Sequence, residues 1–140
     1  MATFNKYNCF VENVAEKVHN LGSDVLKVAL TNTAPAATDT VWNTTVYPAP
    51  TAANGYTAGG NTPSITSSAQ TSGTYKLVLA DTVFTATSGG IGPFRYVVLY
   101  NSTASGAVIG YYDYGSSITL ADTETFTIDF DATNGVLTIA

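Results

Sequence analysis

The sequence predicts an all-β domain, a β-sandwich with one N-terminal α-helix, built as a single domain over residues 1–140. Composition is the first indication. The 140 residues are 45% hydrophobic but only 11% charged, and Thr, Ser, Asn and Gly take the place of charge, which suits strands and tight turns. The second indication is a period of two in the apolar pattern over most of the chain. The third is the frequent turn signals between short alternating segments, as in sandwiches and barrels.

The N-terminal segment has the periodicity of a helix. Its apolar side chains recur at spacings of four, four and three: Phe10, Val14, Val18 and Leu21. These spacings place them on one face of a helix. Asn8 is the expected N-cap, and Gly22 is the expected glycine after the last turn. We therefore expect a helix over about residues 8–20, followed by the sandwich over about residues 25–140.

The strands predicted beyond the helix are short. They cover residues 25–31, 41–47, 65–70, 74–80, 83–86, 94–100, 107–114 and 117–120. The strand over 94–100 is apolar on both faces, with Phe94 on the same face as Val98, which indicates a central position covered on both sides. The dipeptide Asn134-Gly135 predicts a two-residue turn and a C-terminal hairpin that sets Phe130 opposite Ile139.

Residues 48–63 are predicted to form a long loop, because they hold three prolines, an Asn-Gly pair and a Gly-Gly pair. A loop of this length in a compact domain is usually functional or a flexible arm. Its low charge and Tyr56 favour a contact surface. A surface excursion without a role is the equally weighted alternative.

The charge pattern argues against nucleic-acid and membrane partners. The net charge is −5, and the five Lys and Arg residues are scattered along the chain. Nucleic acid and anionic membranes both require a concentrated basic surface. No apolar run approaches the roughly 20 residues of a membrane span. The polar first ten residues argue against a signal peptide, so we expect synthesis in a cytoplasm.

Few residues could form a catalytic or metal site. The only cysteine and the only histidine, Cys9 and His19, would point to different sides of the predicted helix, which argues against a nucleophilic pair. The expected role of His19 is to interact with the helix C-terminus, and a dyad with a distant Asp stays open. Asp129 and Asp131 begin like a calcium loop, but Ala140 stands where the loop needs Glu, and a solvated strand face is the favoured interpretation. We predict no catalytic residue, no metal and no cofactor, and therefore no enzyme.

The high number of aromatic residues is the feature of the composition that best indicates a function. The chain has nine tyrosines and six phenylalanines. Tyrosine offers a large, rigid contact area with a polar tip, which suits interfaces. On a strand, Tyr112 and Tyr114 share a face and Tyr111 takes the other. Core packing accounts for part of this excess, and sugar stacking on an aromatic platform also stays open. The predicted interface residues are Phe4, Tyr7, Tyr47, Tyr56, Tyr111, Tyr112 and Tyr114.

Five segments resemble a known family: 17–35, Tyr56–Asn61, Phe94–Asn101, Asp113–Ser117 and Asp129–Ala140. This is a family of tailed-phage virion proteins, and it is similar in particular to the capsid cement proteins of short-tailed phages such as the Bordetella podophage. The resemblance spans the whole chain. It implies a jelly-roll-like sandwich outside the major capsid protein shell, as a homodimer or alternatively a trimer. It implies no catalytic or metal residues.

Two functional hypotheses follow, together with a third that the sequence disfavours. The first is a capsid cement or decoration protein that binds the outside of the major capsid protein lattice and stabilises the phage head, so that the protein is located on the virion exterior. The second is a phage tail or head-fibre module that recognises host glycan through exposed Tyr and Asn. The third, a hydrolase, lacks a nucleophile and base set.

Overall fold

The chain folds into nine strands and one short helix in a computed structural model that describes residues 2–140. The elements are β1 (Asn5–Lys6), α1 (Cys9–Ala15), β2 (Leu26–Thr31), β3 (Ile65–Thr71), β4 (Thr74–Leu79), β5 (Thr82–Thr85), β6 (Ile91–Asn101), β7 (Ala107–Leu120), β8 (Thr125–Ile128) and β9 (Leu137–Ile139). The predicted fold class, an all-β sandwich with an N-terminal helix, is confirmed. Within the described residues, no helix has the length and apolarity to cross a membrane.

Three antiparallel sheets make up the fold. The largest has the order β1-β7-β6-β2, the second has the order β3-β4-β9, and β5 pairs with β8. The main core draws buried side chains from all three sheets, for example Val28, Leu77 and Phe84. This shared core holds the sheets together, because the burial of apolar area is the main favourable contribution to folding.

The four-stranded sheet is covered on both faces, as predicted for residues 94–100. Its second face carries a smaller core that includes Val98 and Tyr100. One detail of the prediction is wrong: Phe94 lies in the main core with Val97, not on the face of Val98. The β6–β7 register shifts between Phe94 and Tyr96, and such a bulge adds a residue that reverses the alternation of side chains.

The helix is shorter than predicted, since it ends at Ala15. Lys17 has φ 66°, a left-handed conformation that an α-helix cannot continue. Gly22 is therefore not its terminal glycine, and Val18 is 39% exposed instead of lying on a buried face. Asn8 does stand at the N-cap, but its side chain makes no capping hydrogen bond.

The strand predicted over residues 41–47 is also wrong. Only Val41 forms a bridge, to Ala107. The side chain of Asn43 then accepts hydrogen bonds from the backbone N–H groups of Thr45 and Val46, each at 2.9 Å. This competition from an Asn side chain makes a turn where the apolar pattern indicates a strand. The two strands predicted over 107–114 and 117–120 are one continuous strand, β7.

The predicted hairpin at Asn134-Gly135 does not form. β9 pairs with β4 instead, with Leu137 opposite Leu77 and Ile139 opposite Tyr75. The Asp131 carboxylate accepts hydrogen bonds from two backbone N–H groups that follow it, those of Thr133 and Asn134, at 2.8 Å each. This turn replaces the type I′ turn, which needs positive φ at both central residues; of Asn134 and Gly135, only Gly135 has it, at 81°.

Candidate interaction site

An open groove of about 370 Å³ has a largely apolar lining. Its floor consists of three buried side chains, Val97, Ile128 and Val136. Four aromatic residues, three polar residues and two small residues complete the lining: Phe4, Tyr112, Tyr114, Phe126, Thr127, Asp129, Asp131, Ala2 and Gly135. We call this feature the aromatic groove. Its apolar floor and few polar groups are typical of binding sites.

The strands position the aromatic side chains in pairs. Phe4 immediately precedes β1, which pairs with β7, and its ring lies 5.5 Å from that of Tyr112. Gly110 makes this approach feasible, because a Cβ there would lie 2.2 Å from the Phe4 ring. Tyr114 meets Phe126 of β8 edge to face, with ring centroids 5.6 Å apart. Edge-to-face pairs of this kind are energetically favourable beyond the burial of their area.

Two of the three polar residues of the aromatic groove are aspartates, Asp129 and Asp131. Hydrogen bonds from the backbone N–H and the side-chain amide of Asn134, and then from the Thr133 N–H, hold the pKa of Asp131 below its usual value. Asp129 is exposed, and no hydrogen bond or ion pair of its side chain is found within residues 2–140. Burial raises the pKa of Tyr112 to about 12, so this phenol is neutral at physiological pH. The groove therefore combines an apolar aromatic interior with two carboxylate side chains.

The two cationic side chains in this part of the molecule, Lys76 and Arg95, each bind another group of the protein. Lys76, which contributes to the lowered pKa of Asp131, donates a hydrogen bond of 2.8 Å from Nζ to the Thr133 carbonyl oxygen. Arg95 forms a two-point ion pair with Asp113, with N–O distances of 2.8 and 2.9 Å. That pair is the one ion pair within 4 Å found in residues 2–140. Neither cation lines the aromatic groove.

The structure brings together three of the predicted interface residues, Phe4, Tyr112 and Tyr114, at the aromatic groove. Tyr114 is 54% exposed, while Phe4 and Tyr112 are half-buried. Tyr111 is also half-buried but packs against the second core on the opposite face of β7. The predicted alternation of the tyrosines along β7 is thus confirmed. Phe126 was not identified from the sequence as a residue of this site. The signal that could have found it is the spacing of two between Phe126 and Ile128, which is typical of one face of a strand.

The other three predicted interface residues, Tyr7, Tyr47 and Tyr56, are at most 3% exposed, which corrects their assignment to the surface. The hydroxyls of Tyr7 and Tyr47 hydrogen bond at 3.0 Å, and Tyr47 donates to the Asp39 carboxylate. The Tyr56 hydroxyl accepts a hydrogen bond from the backbone N–H of Leu30 at 3.1 Å. Burial raises the pKa of all three phenols. Each hydroxyl has an internal partner, so these tyrosines serve the core.

His19 is buried and belongs to a network that we call the amide network, with Asn101 and Asp24. The Asn101 side-chain amide donates to His19 Nδ1 at 3.0 Å and to Asp24 Oδ2 at 2.6 Å. Burial lowers the pKa of His19, and the charge of Asp24 opposes this in part. The predicted role at a helix terminus is wrong, because α1 ends four residues before His19. Cys9 lies elsewhere, with Sγ 3.7 Å from the Asp39 carbonyl oxygen.

The spacing of Asp129 and Asp131 is similar to the start of a calcium-binding loop, but Asp131 has another role in the structure. The Asp131 oxygens accept the turn hydrogen bonds described above, and its Oδ2 also accepts from Asn134 Nδ2 at 2.7 Å. Asp131 is therefore a turn residue, which corrects the solvated strand face expected for it. Among residues 2–140, no three His, Cys, Asp or Glu side chains group in a way that could hold a metal ion.

Comparisons of this chain with protein-family models, with curated proteins and with solved structures give no match. The aromatic groove is the feature with the chemistry of a contact site. Partly exposed aromatic rings on a firm scaffold supply contact area at low conformational cost, and the adjacent carboxylates can add directional polar contacts.

Proposed function

We propose that the protein is a structural virion protein, a capsid cement or decoration protein that binds the outside of the major capsid protein lattice and stabilises the phage head. The observation that supports this best is the aromatic groove, which offers Tyr114 and Phe126 on the rigid sandwich. It favours a protein that acts through contacts. The capsid as partner rests on the resemblance of the sequence to phage cement proteins.

The stabilisation would operate by mass action. A protein that binds the assembled lattice, and not its separated subunits, stabilises the lattice by its binding free energy. A homodimer that touches two capsid subunits would gain effective concentration at its second contact, so each contact can be weak. The low share of charged residues, 11%, fits adhesion in which aromatic and backbone contacts supply most of the contact area.

The test is binding to capsids that lack the protein. We expect the purified protein to occupy such capsids in many copies and to raise their resistance to heat. Tyr114→Ala should lower the occupancy, because it removes an exposed ring of the aromatic groove. Val83→Ala, which removes a side chain of 49% exposure on β5 outside the groove, is the control and should bind like the wild type. Capsids that remain bare at saturating protein would contradict the proposal.

One observation favours the second hypothesis, a phage tail or head-fibre module that binds host glycan. Tyr114 is exposed and lines the same groove as Asp129, and a sugar ring can stack on such a tyrosine while its hydroxyls donate to a carboxylate. Binding of the purified protein to host polysaccharide, together with no binding to capsids, would replace the decoration hypothesis with this one.

A further inference from the structure

We propose that the aromatic groove binds the guanidinium group of an arginine side chain that a partner protein supplies. The identification of this partner as a capsid subunit rests on the proposed function. The guanidinium would lie between the aromatic walls and the carboxylates of Asp129 and Asp131. A contact of this kind would anchor the partner at one defined point and orient it, because a planar cation binds in a fixed geometry.

The size of the aromatic groove fits one side chain. Its volume of about 370 Å³ is near the lower end of the roughly 300–1,000 Å³ that small-ligand sites occupy. The floor residues Val97 and Val136 are 4% and 7% exposed, whereas Tyr114 at the side of the groove is 54% exposed. The aliphatic stem of an arginine can cover this apolar floor while its charged end reaches the rim.

Charge complementarity selects a cation. Asp129 and Asp131 both line the groove, and the turn hydrogen bonds keep Asp131 ionised. A neutral apolar group in the groove would remove water from the carboxylates without replacing its hydrogen bonds, which is unfavourable. An anion would be repelled. The whole chain, with net charge −5, also favours a basic partner at long range.

The aromatic walls favour guanidinium over ammonium. Guanidinium is planar, weakly hydrated and able to stack on aromatic rings while it donates to a carboxylate. The protein already uses this combination once. Arg95 lies 5.2 Å from the centroid of the Tyr96 ring and forms a two-point ion pair with Asp113. The groove presents the same two chemistries, a tyrosine ring and a carboxylate, and neither Lys76 nor Arg95 lines it.

The experiment is a titration of the full chain with N-acetyl-arginine amide, followed by backbone amide NMR. We expect shift changes concentrated at groove residues such as Tyr114 and Asp129. N-acetyl-citrulline amide, a neutral molecule of nearly the same shape, should leave these signals in place. N-acetyl-lysine amide should bind more weakly than the arginine compound.

Two variants with the same change in net charge distinguish a contact at the groove carboxylate from the general electrostatic attraction of the protein for a cation. Asp129→Asn should weaken arginine binding by up to about fivefold, the size expected of a solvent-exposed ion pair. Asp122→Asn, an exposed carboxylate outside the groove, should leave it unchanged. Both positions are exposed and neither side chain is needed for a turn, so both variants should fold.

The outcomes separate this inference from the proposed function. Equal binding of arginine and citrulline compounds, equal binding of the lysine compound, or an equal effect of the two Asp variants would overturn the guanidinium site. If the site fails in this way while wild-type protein occupies capsids, the decoration hypothesis stands without it. If arginine binds as expected but capsids stay bare, the guanidinium site stands and the capsid is not the partner.

Discussion

His19 is a buried histidine held as a neutral hydrogen-bond acceptor. The Asn101 amide nitrogen has no lone pair to offer, so the hydrogen bond of 3.0 Å to His19 Nδ1 requires an unprotonated Nδ1. The proton of the neutral ring then sits on Nε2. Protonation of Nδ1 would set one donor against another and place a charge in a buried site, and both effects disfavour the charged ring.

We expect the free energy of unfolding to fall as the pH is lowered from 7 to 5. Burial lowers the pKa of His19 below the usual 6.5 in the folded state, with Asp24 as the facing charge that opposes the shift. Between the two values the unfolded chain binds more protons, so stability is full above about pH 6.5 and is lost as the pH falls. The loss for one proton cannot exceed about 1.4 kcal/mol per pH unit. Urea unfolding at several pH values measures it.

The control for this pH dependence is His19→Gln, which can still accept a hydrogen bond from Asn101 but does not titrate. Its unfolding free energy should change less between pH 7 and 5. The carboxylates of Asp113 and Asp131 do not interfere, because their pKa values lie below the usual 3.8. An equal slope in the variant and the wild type would assign the effect to other groups.

At the scale of elements, two turns of similar composition behave differently. Ser72-Gly73 forms the tight β3–β4 hairpin with φ of 51° and 83°, whereas Asn134-Gly135 forms none. In the second case Asp131 precedes the dipeptide and its carboxylate draws the chain into another turn. β9 is then free to pair with β4, and Gly135 and Val136, which precede β9, line the aromatic groove.

We expect Gly135→Ala to destabilise the protein more than Gly73→Ala. Both glycines have left-handed φ, 81° and 83°, so strain of roughly 1–3 kcal/mol burdens both variants. A Cβ at Gly135 would also lie 2.6 Å from the Leu77 carbonyl oxygen, while a Cβ at Gly73 would have no atom within 4 Å. The Leu77 oxygen accepts the hydrogen bond of Val136 at 2.8 Å, so the clash would open the β4–β9 contact. Chemical unfolding of the two variants side by side measures the difference, and equal losses would contradict it.

The same strands and the helix show which parts of the fold could be predicted from the sequence and which could not. Alternation identified most strands, including β4 over residues 74–79 and the apolar β6, because one or both faces of a strand must be buried. It could not assign the partners of β9, since pairing depends on long-range contacts. The end of α1 was missed because Val18 and Leu21 continue the helical spacing, although Lys17 leaves the helical conformation.

The candidate site was predictable to a similar degree. Alternation placed Tyr112 and Tyr114 on one face, since this follows from strand geometry alone. Burial of Tyr7, Tyr47 and Tyr56 was not predictable, because composition does not show which hydroxyls find internal partners. The second wall of the groove comes from β8, whose Phe126 is brought to Tyr114 by the sheet arrangement.

At the scale of the whole molecule, residues 48–63 form an irregular segment that is anchored in the core by Tyr56. Tyr56 lies in the main core, 5.8 Å from the ring of Phe84. Gly60 sits against β2, where a Cβ would lie 1.8 Å from the Val28 carbonyl oxygen. The Tyr100 hydroxyl donates to the Gly59 carbonyl oxygen at 2.7 Å. The loop was predicted correctly, but the buried Tyr56 does not support the contact-surface interpretation.

We therefore expect substitutions at Tyr56 to act on folding rather than on partner binding. Tyr56→Phe keeps the ring but removes the hydroxyl that accepts from the Leu30 N–H, and a buried donor left without a partner costs about 1–3 kcal/mol. Tyr56→Ala would also remove the ring from the main core and should cost about 3–5 kcal/mol, as for other large aromatic truncations. Tyr114→Phe, at a position of 54% exposure, is the control and should change the free energy of unfolding by less than about 0.5 kcal/mol. Equilibrium unfolding in urea gives all three values. If Tyr56→Ala unfolds at the wild-type midpoint, the loop is a dispensable excursion and its place in the core is wrong.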